Sequence, residues 1–389
     1  MIAAVWIIGT FVAIGVIGWL FRAAGRAAGN RPFFRDMPFG VAYGYVFGVF
    51  ALAAGVWLWT LPKAVFFRWA VMGFVGFAVA AWLFRLAGRH IGTARTRKLF
   101  RAMPLTAAFG IMIILIYAIT AIFAAWIAPH AQQEIFTQAN IVPGGDPALG
   151  GNPLFPLGTD QIGRDILSRL IYGAQNTVGI AFATTLIAFT VGGSLGFLAA
   201  TLGGWLDQLL GRLVDVLMAI PSLIFALLLM TIASVWAGGE KWLLTVYMVL
   251  IIALIDSTRV FRLARAVGQN IVVMDYIEAA KLRGEGLGYL IFREILPNAT
   301  APLLAEFGLR FCFVFLTIAS LSFLGVGIQP PLADWGTMVH DLAQFINFAA
   351  VAPQVASAPL LAASAIALLT VAVNFVVDWM LHRSSGLKE

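Results

Sequence analysis

Four histidines, one cysteine and a thin scatter of carboxylates are all this 389-residue chain offers for catalysis or metal binding. His90, His130, His340 and His382 are far apart, and no His-x-x-x-His or Cys–His spacing occurs, so no metal site is expected. Cys312 has no disulfide partner and sits in an apolar run. Gly192-Gly-Ser-Leu-Gly196 matches the G-x-S-x-G pattern of a hydrolase nucleophile. That chemistry needs a strand-to-helix turn, and these residues lie mid-way through a long apolar stretch. Gly192 and Gly196 also have the G-x-x-x-G spacing of closely packed membrane helices, which explains them without catalysis. No G-x-x-x-x-G-K-[ST] loop is present, nor any Gly-Lys dipeptide, so the chain does not supply its own phosphate cradle.

Three constellations remain. The first is Asp275-Tyr-Ile-Glu-Ala-Ala-Lys-Leu-Arg-Gly-Glu-Gly-Leu-Gly-Tyr-Leu-Ile-Phe-Arg-Glu-Ile-Leu-Pro297. Asp275 is placed to cap a helix through Arg283; Gly284, Gly286 and Gly288 break it; a second helix, Tyr289 to Leu296, is expected to stop before Pro297. Ile291, Phe292, Ile295 and Leu296 make an apolar stripe rimmed by Lys281, Arg283 and Arg293. Periodicity supports equally a knob that enters a partner's groove and a loop that packs beneath its own bundle. The second constellation is Glu306 and Arg310, four residues apart near the end of an apolar stretch. At that spacing they pair along one helix face, and a shallow pair reaching toward the interface is the favoured reading. The third is Leu157-Gly-Thr-Asp-Gln-Ile-Gly-Arg-Asp-Ile-Leu-Ser-Arg169, expected to form an amphipathic helix at the membrane surface with Asp160 as its cap.

The elements that position these groups follow from composition. Hydrophobic residues make up 61% of the chain, charged residues only 11%, and mean hydropathy is +0.93. An ordinary soluble domain is roughly 45–50% apolar and about 25% charged. A soluble enzyme, a disordered chain and a disulfide-stapled domain are excluded. Nine stretches approach the roughly 20 residues that span a bilayer: 3–21, 40–61, 65–86, 106–127, 178–202, 213–235, 243–257, 303–328 and 359–381. Each is expected to be helical, because lipid leaves no partner for unpaired backbone groups. Of the 25 lysines and arginines, 19 then fall on one side, five (Lys63, Arg68, Arg164, Arg169, Lys241) on the other, and Arg310 within a span. The basic side is cytoplasmic, which puts residue 1 outside and residue 389 inside. The net charge of +7 is therefore a topology signal and implies no nucleic-acid partner. The first span has no charged leader and no small-residue cleavage site, so it is expected to be a retained helix. Gly40, Gly44 and Gly48 form a ridge expected to pack against neighbouring helices. The basic run from His90 to Arg101 is foremost an orientation signal and could also meet anionic lipid. Three regions result: 1–90 with three spans; 91–177 with the fourth span and an outward loop punctuated by Gly and Pro; and 178–389 with five spans and a cytoplasmic loop at 256–301.

Four motifs, in order, resemble one family. Glu278-Ala-Ala-x-x-x-Gly284 followed by Ile295-Leu-Pro297 is similar to the EAA signature of bacterial ABC importer permeases. The outward motif around Gly158, Asp160, Gly163, Arg164, Asp165 and Arg169 resembles the C-type permease of the dipeptide/oligopeptide/nickel importers. So do Asp215-Val-Leu-Met-Ala-Ile-Pro-Ser222 and Leu321-Ser-Phe-Leu-Gly-Val-Gly-Ile-Gln-Pro-Pro331 with Asp334-Trp-Gly336. The likeness covers roughly 100–385 and leaves the first three spans outside it. It departs from the family at Tyr289, and at Ile318 where many relatives carry a glutamate. The resemblance implies a six-span permease core within the all-α polytopic membrane protein of nine spans that the apolar stretches give. It implies a non-catalytic permease subunit of the bacterial inner membrane, paired with a second permease, two ATPase subunits or domains and a periplasmic solute-binding protein. ATP and Mg would be bound by the ATPases, and this chain would hold no cofactor. Glu278, Ala279, Ala280, Gly284, Ile295, Leu296 and Pro297 would form the coupling loop. Peptides are the expected cargo, with nickel complexes, opines and oligosaccharides served by similar permeases. An ion-coupled secondary transporter is the alternative; it would need midplane ionisable groups, for which Glu306 and Arg310 are the only candidates.

Overall fold

The computed structural model describes residues 2–27, 37–60, 65–349 and 354–384. Arg31, Arg35, Lys63 and Lys388 of the charge count, and both terminal residues, lie outside them. The chain forms two compact units, 1–75 and 76–389.

All nine apolar stretches contain helix, and no strand forms among the described residues. The first unit contains α1 (Ile2–Ala27) and α2 (Phe39–Thr60). They meet where Gly18 lets α1 approach the backbone of Tyr43. The ridge of Gly40, Gly44 and Gly48 is not what α1 meets: within this unit nothing described lies within 4 Å of where their Cβ atoms would be. The unit boundary falls inside α3 (Val65–His90).

In the second unit, α4 (Ala94–Ala102) leads into α5 (Leu105–Ile122). After the outward loop come α6 (Ile166–Gly173), a π-helical turn at Ala174–Val178 and α7 (Gly179–Leu202). Next are α8 (Gly204–Met218), α9 (Ser222–Trp236) and α10 (Lys241–Val272). Then follow α11 (Asp275–Leu282), α12 (Leu296–Phe323), α13 (Trp335–Leu342) and α14 (Ser357–Ser384). Among the described residues six helical stretches are long and apolar enough to cross a membrane, and a seventh if α8 and α9 count as one broken span. The expected straight span at 213–235 is instead this pair, bent by 89°. Pro221 explains the break, because it cannot donate the helical hydrogen bond and disfavours helix at the residue before it.

Two further spans differ from expectation. The seventh does not end at residue 257: α10 runs on to Val272, burying Val260, Phe261, Ala264 and Ile271 at helical spacing. The cytoplasmic loop expected at 256–301 is correspondingly shorter. The eighth starts before residue 303 and stops at Phe323, where Gly325, with φ of +81°, turns the chain.

The core centres on α12. Phe315, Ile318 and Leu321 pack with Trp335 and Met338 of α13 and Leu369 of α14. Ile318 is fully buried among them, so an apolar residue suits this position. Polar residues inside the spans mostly serve their own helix; the Thr184, Thr185 and Thr317 hydroxyls donate to carbonyls one turn earlier. The G-x-x-x-G reading of Gly192 and Gly196 holds. Side chains there would strike the Ser257 and Phe261 carbonyls of α10, and Gly268 faces Ala200 in the same seam.

Candidate functional site

The elbow between α10 and α12 is built in three pieces. Met274, not Asp275, takes the N-cap position of α11, and Asp275 sits in the first turn, where its charge favours the helix N-terminus. The chain then turns at Gly284, whose φ of +83° is open to glycine and strained for a β-branched residue. Gly286 and Gly288 have no positive φ and nothing within 4 Å. A helical turn at Leu287–Tyr289 widens into π turns at Leu290–Ile295 and passes directly into α12. The expected stop before Pro297 is absent. Pro297 opens α12 directly after the π turns, so the path widens just ahead of the residue that lacks an N–H.

The apolar stripe divides. Ile295 is buried, and Ile291 and Leu296 lie partly buried around it; with Ile277, Ala280 and Leu290 they pack on Phe197, Ala264 and Ile271. Phe292 points away, 66% exposed, as does Leu282 at 83%. Glu278, Ala279, Gly284 and Pro297 are exposed, whereas Ala280 is fully buried. One face thus anchors the elbow to α7 and α10 and the other is open. Arg283 lies across the bend, 3.8 Å from Glu285 and 3.9 Å from Glu294.

Glu306 and Arg310 do pair: Arg310 Nε lies 2.7 Å from Glu306 Oε1. The approach is off the N–H axis, so it is a Coulomb contact rather than an aligned hydrogen bond. Arg310 does not reach outward from the bundle: it is buried and turned toward α10. There Asp256 Oδ1 lies 3.6 Å from its guanidinium, and the Phe313 ring 4.6 Å away covers it. Asp256 sits at the very end of the expected 243–257 span, where a carboxylate reads as the start of the loop. The helical spacing of Val260, Phe261 and Ala264 was the signal that would have extended the span. A second tie unforeseen from sequence joins Asp207 of α8 to Arg265 of α10 through two side-chain hydrogen bonds, one of them 2.6 Å.

The outward motif does form a helix, α6, but it starts later than expected and Asp160 does not cap it. Residues 157–165 are a tight loop, and Asp165 caps α6 by accepting from the Leu167 and Ser168 backbone N–H groups. Side chains at Gly158 and Gly163 would strike the Ile141 and Phe136 carbonyls of the facing loop segment, and both have positive φ. Asp160 organises the loop, accepting from the Ile162 and Arg164 N–H groups and, at 2.6 Å, from Arg164 Nε. Arg169 is buried, 4.0 Å from Asp160, and Arg164 lies 3.6 Å from Asp341 in the last turn of α13. The polar side of α6 therefore turns inward.

Asp334 fastens α13 to this assembly. It accepts from the Thr177 hydroxyl and from the Thr337 N–H and hydroxyl, each at 2.8 Å. Burial pushes its carboxyl above the ordinary range, against the pull of those hydrogen bonds. Trp335 Nε1 donates to the Leu170 carbonyl, and Gln132 accepts from the Ala333 N–H and the Asn176 side chain. Among the described residues no cluster of histidine, cysteine, aspartate and glutamate could hold a metal.

A bundle of apolar helices, fixed at one end by a polar loop network and presenting an open elbow at the other, defines a multi-pass transport subunit. Residues 192–385 match the family described as the binding-protein-dependent transport system inner membrane component. The chain is 38% identical over 245 residues to the dipeptide transport system permease protein DppC of Haemophilus influenzae, covering 62% of this chain and 79% of that protein. It is 35% identical over 240 residues to a di/tripeptide permease of Pseudomonas aeruginosa, covering 61% and 76%. It is 30% identical over 281 residues to the glutathione permease GsiD of Pectobacterium atrosepticum, covering 72% and 86%. The chain belongs to the dipeptide-type family of ABC importer permeases. It is a non-catalytic, multi-pass inner-membrane subunit of an ATP-driven importer, and in this family ATP and Mg act on partner ATPases.

Proposed function

We propose that this chain moves peptides inward across the membrane and takes its energy through the elbow. The division of the elbow into an anchored face and an open face carries the reading. Ile277, Ala280, Leu290 and Ile295 join it to the spans, while Glu278, Ala279, Gly284, Leu282 and Phe292 are free to meet an ATPase subunit. A docked elbow continuous with α12 passes ATPase closure to the bundle as a rigid-body motion. The cargo assignment rests on the peptide and glutathione named for the relatives. The wider assembly we propose has a second permease, two ATPase subunits or domains, and a solute-binding protein outside. That protein would face the network around Asp160, Arg164, Asp165 and Arg169. Residue 1 lies outside and residue 389 inside, 1–90 is an addition to a core beginning near residue 91, and the Glu306–Arg310 pair is structural rather than ion-translocating. The test is peptide uptake into liposomes by the reconstituted assembly. Uptake that requires ATP, and is lost in Gly284→Val while that chain still inserts, supports the proposal; uptake by this chain without ATP overturns it.

A further inference from the structure

We propose that the corner formed by the end of α3 and by α4 is a binding site for the phosphate headgroups of anionic lipid. Between Asp36 and Glu134 the chain contains no acidic residue, yet Arg85, Arg89, Arg95, Arg97, Lys98 and Arg101 fall within that interval. Among the described residues none of these six has a carboxylate within 4.0 Å. The Nε atoms of Arg85 and Arg89, one turn apart on α3, are buried without a hydrogen-bond partner. Both residues are otherwise half-exposed, so their guanidinium groups remain open to an oxyanion, and phosphate fits that planar fork.

The fold holds these charges where headgroups lie. Thr93 caps α4, whose two apolar residues turn inward: Phe100 meets Phe84 edge to face at 5.4 Å, and Leu99 packs in the cluster of Met103 and Trp379. Gly88 leaves the space that Phe100 fills. The opposite face of α4 carries Arg97, Lys98 and Arg101, all exposed. The helix is bracketed by two apolar helices, with α3 ending at His90 and α5 beginning at Leu105. It is therefore confined to the interface and cannot swing out to a distant partner. Arg383 of α14, over the Trp379 ring at 5.7 Å, adds a further cation, and the exposed Asp378 is the acid on that helix end. Basic clusters of four to eight residues beside a membrane span are attracted to anionic leaflets.

The experiment purifies the full chain from membranes, exchanges it into nanodiscs of phosphatidylcholine with or without phosphatidylglycerol, and counts lipid retained after detergent washing by native mass spectrometry. The wild type should retain phosphatidylglycerol over phosphatidylcholine. Each basic residue neutralised in Arg97→Gln/Lys98→Gln/Arg101→Gln should lower retention about fivefold. Arg85→Gln/Arg89→Gln should lower it comparably, and Arg283→Gln/Arg293→Gln in the elbow should leave it unchanged. Retention should fall with added salt in the wild type, which keeps the test valid if a variant fails to insert. Inorganic phosphate should compete poorly. Equal retention by wild type and the α4 variant, or no preference for the anionic lipid, overturns the proposal. Unchanged lipid with loss of a co-purifying acidic protein also overturns it and makes α4 a protein-docking surface.

Discussion

Replacing Arg310 by methionine should be among the most damaging single substitutions in the spans. The guanidinium lies 2.7 Å from Glu306 and 3.6 Å from Asp256, and both it and Asp256 are buried. Removing it leaves two carboxylates without their counter-charge in a low-dielectric setting, and breaking a buried pair in this way costs about 3–5 kcal/mol. Neutralising all three groups in Asp256→Asn/Glu306→Gln/Arg310→Met leaves no buried carboxylate and only the half-exposed Arg259 nearby, so most of the loss should return. At roughly 2 °C per kcal/mol for a chain of this size, Arg310→Met should lower the thermal midpoint of the purified protein by about 6–10 °C. The triple variant should lie within about 3 °C of wild type. If Arg310→Met unfolds at the wild-type midpoint, or if the triple variant falls as far as the single one, the three groups are not an interdependent buried cluster.

Three further expectations follow from the geometry. Gly192→Leu should force α7 from α10 and abolish stable accumulation of the chain, whereas Gly193→Ala, which meets nothing within 4 Å, should cost under about 1 kcal/mol by thermal melting. Asp334 binds its proton more tightly folded than unfolded, so the folded state gains protons above the ordinary carboxylate value. Stability should therefore fall as pH rises through that window, by a slope that Asp334→Asn removes in melting curves at a series of pH values. Reporters fused at residues 1 and 389 should lie on opposite sides of the membrane; matching sides would mean an even number of spans.

The helical, membrane-spanning character of the chain was legible in the sequence because apolar length and basic-residue placement report directly on the bilayer. Close helix packing at Gly192 and Gly196 was legible too, since only small residues permit that approach, but α10 as the partner was not. What stayed hidden depended on where a helix stops or what a side chain meets across space. Asp256 lies 54 residues before Arg310, and no local rule joins them. Arg259, Arg262 and Arg265 read as the edge of a loop, yet α10 runs past all three, with Arg259 over the Phe313 ring, Arg262 reaching Met218 Sδ and Arg265 finding Asp207. In the outward motif the residue types were recognised but the cap was displaced by one motif step, from Asp160 to Asp165. Both are followed by residues that could start a helix, and Gly163, with φ of +86°, excludes the earlier start. Pro297 misled for a related reason: the π turns before it let the helical path run through a residue that usually ends one.

The central claim is that the open face of the elbow meets an ATPase. It is tested most directly by placing one cysteine at Leu282, 83% exposed, in a chain whose buried Cys312 is changed to alanine. A short thiol–amine cross-linker is then applied to the working, ATP-hydrolysing assembly. A covalent adduct with the ATPase subunit from Leu282→Cys, and none from a cysteine at the equally exposed Trp126 beyond the other end of α5, is the predicted result. An assembly that transports at full rate while position 282 reacts with no neighbouring protein would contradict it.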